Sequence, residues 1–244
     1  MKHSSIIAIA LGALAVSCAS QSEGGKYTVT APAMPDDAGK MAYIVNYDSG
    51  DKVDSVLVEG ESIVMNGTVT TALPARLIVG SRRASTFILE AGDITIDSMG
   101  VASGTKLNKE FDEYMTAGDS LSVAFGKAET DSARQVIYDA YQELTQTAIT
   151  TQAGNPIGFF AFTNLAYDLT PEELDSIIKV HPEYLEYSRI QKLQEMNNNL
   201  KATAPGTKFK DFTIEGDSTV SFSQYVGNGK FTIVDFWASW CGPC

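Results

Sequence analysis

Ile233-Val234-Asp235-Phe236-Trp237-Ala238-Ser239-Trp240-Cys241-Gly242-Pro243-Cys244 closes the 244-residue sequence. The first part of this run is β-branched and aromatic, the composition of a strand that packs on both faces. The second part sets two thiols one helical turn apart, with glycine and proline between them. A paired thiol of this spacing behind an apolar strand is suited to thiol–disulfide exchange. The thiolate is the attacking species, so the first cysteine needs a depressed pKa. A helix beginning at Cys241 would supply it, because unpaired amides and the positive end of the helix dipole face the sulfur.

Position assigns the roles. Cys241 is expected to be the exposed nucleophile and Cys244 the more buried resolving thiol. Gly242 and Pro243 keep the turn compact, since proline is tolerated where its missing donor is not needed. The intervening dipeptide carries no histidine or other cation, which favours a reductant or isomerase over a strong oxidant. Trp240 and Trp237 are placed to shape the surface near the nucleophile, or simply to pack. Zinc requires four ligands, and only His181 stands beside the pair, so no metal is expected. A c-type haem site requires histidine directly after the second cysteine; the apolar strand before Cys241 argues against one. No cofactor is expected.

Composition bounds the rest. The net charge is −12, with 18 basic and 30 acidic residues, and no Lys/Arg cluster offers a nucleic-acid footprint. Met1-Lys2-His3 is a short basic start, and the uncharged run 6–16 suits a signal-peptide core while being too short to span a bilayer. Leu14-Ala15-Val16-Ser17-Cys18 resembles a bacterial lipobox. The implied organisation is a signal peptide over 1–17 and a lipidated tether over 18–26, with Cys18 as the lipidation site. Such a chain would sit in the cell envelope or periplasm, anchored to a membrane, where a dithiol meets oxidised proteins.

From 27 to 104 the pattern is β-rich, with strands predicted over 27–30, 41–47, 53–58, 63–69, 76–79, 86–89 and 94–96. Asp48-Ser49-Gly50-Asp51 and Ala91-Gly92-Asp93 read as turns. Several short strands at this spacing suggest a sandwich or barrel. From 105 to 202 the pattern is helical. Lys106 opens one helix, and 132–149 places Val136, Ile137, Ala140, Tyr141, Leu144 and Ala148 on one face. Thr170-Pro171-Glu172-Glu173 is a capping-box start, and His181-Pro182 divides that helix from the next, which carries Leu185, Leu193, Met196 and Leu200. Thr203-Ala204-Pro205-Gly206 marks a boundary. Strands are predicted after it over 209–214, 220–222 and 231–237. The fold class is multidomain: a β-rich domain, a helical segment, and over 203–244 the incomplete start of an α/β domain.

The closing run resembles the active-site strand and helix start of thioredoxins. Ala204-Pro205-Gly206, Phe209-Lys210-Asp211-Phe212 and Val220-Ser221-Phe222 are similar to the lead-in hairpin of the membrane-anchored TlpA/ResA-like branch. Upstream, Val53-Asp54-Ser55, Phe87-Ile88-Leu89-Glu90-Ala91-Gly92 and Ser103-Gly104-Thr105 resemble an uncharacterised β-rich domain fused before such thioredoxins in envelope lipoproteins. The resemblance implies a redox disulfide between Cys241 and Cys244, and a buried acid at Asp235, six residues before Cys241. Asp235 would take a proton from the resolving thiol, a role suited to a carboxyl whose pKa an apolar strand raises. The resemblance also implies extracytoplasmic protein substrates with disulfides and a membrane-borne electron donor. The later strands and the cis-proline loop of that fold would lie beyond Cys244, so residues 1–244 alone are expected to be inactive.

Two further readings complete the set. Asp48, Asp51 and Asp54 suggest a hairpin before they suggest calcium, and Arg82-Arg83 suggests a solvated loop before an anion site. The alternative function is a non-catalytic envelope lipoprotein whose β-rich and helical regions bind or position partner proteins.

Overall fold

A computed structural model describes residues 23–166, 168–215 and 219–242. The chain divides into two compact units, the first ending at Glu195 and the second beginning at Met196.

The first unit is built on two four-stranded sheets. Strands β1 (Glu23–Pro32), β4 (Ser62–Thr71), β7 (Gly92–Ile96) and β8 (Ala102–Ser103) form one, in the order β4-β1-β7-β8. Strands β2 (Met41–Asn46), β3 (Lys52–Leu57), β5 (Leu73–Val79) and β6 (Arg82–Leu89) form the other, in the order β3-β2-β5-β6. All pairings are antiparallel except β1 with β7, where Val29 lies opposite Ile94. Alternation drives one face of each sheet inward. Val29, Met65 and Ile94 from the first sheet meet Ile44, Leu77 and Phe87 from the second in one core. The seven strands expected over 27–96 are all present, and the sandwich form of the β-rich region is observed.

Pro74 lies inside β5, an interior strand, where a missing donor would ordinarily break the ladder. It sits opposite Ile88 in a pair that exchanges no backbone bonds. Its carbonyl instead accepts from Tyr47 N–H at 2.8 Å, beyond the end of β2. Asp37, 2% exposed, takes the Arg82 guanidinium as an ion pair and accepts from Met34 N–H at 3.0 Å. Arg82 and Arg83 therefore open a strand and do not form the solvated loop expected; one of them serves a buried carboxylate.

Five helices follow: α1 (Lys106–Lys127), α2 (Asp131–Thr151), α3 (Pro156–Leu165), α4 (Pro171–Val180) and α5 (Ser188–Ala202), which crosses into the second unit. The Thr170–Glu173 capping box forms as expected, with Glu173 Oε2 accepting from Thr170 N–H at 2.8 Å. His181 ends α4 with its N–H donating to the Ile177 carbonyl. On α2 the buried residues are Thr145, Ala148 and Ile149, while Val136 is 66% exposed. The face is fully buried only in the C-terminal half of the helix, while Ile137 and Ala140 before it are partly covered. Helix α3 was not anticipated. It is the centre of the helical layer, with Phe159, Ala161 and Phe162 fully buried against Ile149, Tyr184 and Ile190. Gly158 lets it approach: a Cβ there would lie 2.2 Å from the Gln152 carbonyl oxygen and 2.6 Å from Tyr184 Oη.

The joint between sheet and helices is polar and buried. Glu90 Oε1 accepts from Leu107 N–H at 2.8 Å and from Asn108 N–H at 3.3 Å, capping α1 from a distance. The Asn108 amide acts as a surrogate strand on β6. Its Oδ1 accepts from Ile88 N–H at 3.0 Å, and its Nδ2 donates to the Ile88 carbonyl at 2.7 Å and to Thr105 Oγ1 at 2.8 Å. Ile88 faces away from the sandwich core and packs with Leu107, Phe111 and Ile157.

Candidate functional site

Beyond the end of α5 the second unit carries a short hairpin, β9 (Thr213–Ile214) against β10 (Val220–Ser221), with Phe222 N–H donating to the Phe212 carbonyl at 2.9 Å. Asp211 Oδ1 accepts from Ser223 N–H at 2.7 Å and from its neighbour Phe212 N–H at 3.1 Å. The Ser223 bonds hold the Asp211 carboxyl below its ordinary pKa. Three phenylalanines gather on the hairpin: Phe222 stands 5.5 Å from Phe209 and 5.0 Å from Phe212, ring centre to ring centre. Phe236 joins at 6.1 Å from Phe212, and Thr232 Oγ1 donates to the Tyr225 carbonyl at 2.6 Å. Two side-chain contacts therefore seat the segment leading to the dithiol on the hairpin.

The segment itself differs from expectation. No strand forms over 231–237, because no described neighbour pairs with it and a β-strand has no stability without a ladder. Phe231, Ile233 and Trp237 are exposed in consequence. Asp235 is exposed as well, not buried in an apolar strand as expected. Trp240 is 87% exposed beside Cys241. Cys241 is partly buried and disulfide-bonded, and its N–H donates to the Ala238 carbonyl at 3.0 Å in a turn. Gly242 is exposed in the next turn position. Pro243, Cys244 and Cys18 lie outside the described residues, as does the signal peptide over 1–17.

The other candidates are separate from this segment in chemistry. Asp48 accepts from Ser188 N–H and Arg189 N–H, each at 2.8 Å, and so caps α5 across 140 residues of chain. Asp54 accepts from Tyr27 Oη at 2.9 Å. Burial and this carboxylate both push the Tyr27 hydroxyl pKa up. His181 Nδ1 lies 3.3 Å from Glu183. Among the described residues no group of three His, Cys, Asp or Glu side chains is placed to hold a metal ion. A groove of about 430 Å³ between α1 and α2 is lined by Tyr114, Leu121, Phe125, Ile137 and Tyr141 among others. Glu90, Asn108 and Arg76 are the residues that sequence reasoning passed over. Asn108 had a readable signal: it follows Leu107 at the start of a helix whose apolar spacing, Leu107 to Phe111, turns that end toward the sheet.

Residues 27–111 match a domain family of unknown function, DUF4369. The match takes in the sandwich and ends at Phe111, in the helix turn that docks on Ile88. The chain is also 56% identical over 23 residues to a thioredoxin of Malassezia sympodialis, and to the same extent to a thioredoxin of Coprinus comatus. Each likeness covers 9% of this chain, and the chain spans 22% of the length of these relatives. The β-rich first region, the helices after it and a short thioredoxin-like stretch are the organisation so established. Among the described residues no helix is long and apolar enough to cross a membrane.

Proposed function

We propose that the chain carries the reactive-centre segment of a TlpA/ResA-like thiol–disulfide oxidoreductase that acts on disulfides of extracytoplasmic proteins. The observation that carries this reading is the short likeness to thioredoxins, taken with Cys-Gly-Pro-Cys behind an apolar run.

The Cys241 thiolate attacks one sulfur of a client disulfide. The client S–S bond breaks, its second sulfur leaves as a thiolate, and a mixed disulfide joins client to Cys241. Cys244 then attacks Cys241 Sγ, releasing the client as a dithiol and leaving a Cys241–Cys244 disulfide. Two electrons pass from the pair to the client, and a membrane-borne donor restores the dithiol. Asp235 takes the proton of the resolving thiol once a ladder partner covers its segment, and Trp240, Gly242 and Pro243 shape the approach to sulfur. Cys18 lipidation holds the protein in the envelope, where oxidised clients occur.

The test uses the protein as it occurs in the cell. Cys244→Ser should accumulate clients disulfide-linked to Cys241, released by dithiothreitol, while Cys241→Ser should capture none. Asp235→Asn should leave capture intact and slow its resolution. Absence of any mixed disulfide in Cys244→Ser, together with no reduction of insulin disulfides by the unaltered protein, would overturn the reading.

A further inference from the structure

Two guanidinium groups lie over the ring of Tyr47, Arg76 at 4.3 Å and Arg189 at 4.6 Å from its centre. A third belongs to the same neighbourhood. Arg76 pairs across β5 and β6 with Thr86, and Ile78 pairs with Arg83. A register shift between Leu77 and Ile78 brings Arg83 opposite Ile78, and so onto the outer face that carries Arg76 and diagonal to it.

Among the described residues no carboxylate forms an ion pair with Arg76, Arg83 or Arg189. Among the described residues the buried Arg76 Nε has no hydrogen-bond partner. Among the described residues Arg189 uses only its side-chain Nε, donating to the Tyr47 carbonyl at 2.8 Å and to the Asp48 carbonyl at 3.3 Å, which leaves its two terminal nitrogens. The adjacent Asp48 carboxylate is occupied by the α5 amides. Burial and the charges of Arg83 and Arg189 press the Arg76 pKa down, yet a guanidinium stays protonated in proteins. The chain has a net charge of −12, so acids are abundant in the sequence, yet among the described residues none forms an ion pair with these arginines. A partly buried cation without a counter-charge is costly, and like charges on one face add to that cost.

We infer that Arg76, Arg83 and Arg189, the first and last of them stacked on Tyr47, form a binding site for a phosphate-class oxyanion, carried by a soluble phosphate or by a lipid headgroup. Guanidinium forks match the spacing of phosphate oxygens and bind them in pairs. Arg76 and Arg83 share the sheet face and Arg189 stacks on the same ring as Arg76; three forks exceed what the two oxygens of a single carboxylate engage and suit a tetrahedral group with more than one charged oxygen. The aromatic ring holds two of the forks in place before the ligand arrives, which lowers the ordering cost of binding. The exposed Arg83 and Arg189 flank the half-buried Arg76, so the site is open to solvent.

The probe is inorganic phosphate added to the full chain, against chloride at matched ionic strength, read from the amide resonances of Tyr47, Arg76 and Arg189. Phosphate alone should shift them along a saturable curve. Arg83→Ala removes a side chain with no hydrogen bond among the described residues, so folding is preserved; it should weaken binding about tenfold, and Arg83→Ala with Arg189→Ala should abolish it. Sedimentation with phosphatidylglycerol vesicles, but not with phosphatidylcholine vesicles, lost in the double variant, would identify a lipid headgroup as the source. Identical shifts with chloride and no selective vesicle binding, or undiminished binding by the double variant, would overturn the inference.

Discussion

Replacing Asn108 with leucine removes the surrogate strand on β6 while nearly conserving volume. The side chain is 1% exposed, so water does not take over its bonds. Ile88 loses the acceptor for its N–H and the donor for its carbonyl, and each buried group left without a partner costs about 1–3 kcal/mol. Thr105 loses a third, part-buried bond worth roughly 0.5–1 kcal/mol. Added leucine contacts with Leu107 and Phe111 offset part of this, leaving a net loss of about 3 kcal/mol. For a unit of this size that lowers Tm by about 6–12 °C. Urea unfolding followed by far-UV circular dichroism would measure it, with an unchanged slope showing that the same surface unfolds. Hydrogen exchange at the Ile88 amide should accelerate by the same free energy. A loss under about 1 kcal/mol, or unaltered Ile88 protection, would refute the account of Asn108 as the cap of an edge strand.

Gly158→Ala should be among the costliest small substitutions, because the added carbon meets a backbone oxygen of Gln152 at 2.2 Å and α3 must shift to admit it. A loss of about 2–3 kcal/mol is expected by thermal denaturation, and a neutral result would mean that α3 does not pack at that distance. Alkaline pH should also unfold the first unit. Burial raises the hydroxyl pKa of Tyr27, Tyr184 and Tyr187 above the unfolded value near 10. Their contribution is therefore fully present below about pH 10 and is lost as pH rises from there toward the folded values. Tyrosinate absorbance should show these three titrating late and together with the unfolding transition. All ten tyrosines ionising in one step near pH 10, with no change in stability, would refute it.

The strands over 27–96 were legible because each alternates or runs apolar between turn residues, a signal contained in a few neighbouring positions. The two-residue β8 is too short to carry one. Helix α3 was hidden for the opposite reason: Pro156–Leu165 is apolar nearly all round, so it has no periodicity to detect. Asn155-Pro156 was the available cue, since Asn155 Oδ1 accepts from Ile157 N–H at 2.8 Å and proline holds the first helical position. The face assigned to α2 fails at Val136 because helical spacing shows which residues align, not how far the helix runs beyond the body it packs on. The dithiol was legible as covalent chemistry. Its strand was not realised, since Phe231 to Trp237 depends on ladder partners that local sequence cannot provide, and with it went the burial of Asp235.

The parallel pairing of β1 with β7 fixes the order in which the sandwich can assemble. β1 is an interior strand of its sheet, yet its neighbours are drawn from far along the chain: Val29 meets Met65 on one side and Ile94 on the other. On a growing polypeptide the β2–β3 hairpin can close early, whereas the sheet that contains the first strand waits until Ile94 has been made. Closing so long a loop is slow relative to local hairpin formation. Until then β1 and β4 present an apolar face and an open edge. Leu107 and Asn108 follow soon after, and their amides clamp Glu90 two residues ahead of β7. The first turn of α1 is therefore the latch that retains the last strands to arrive.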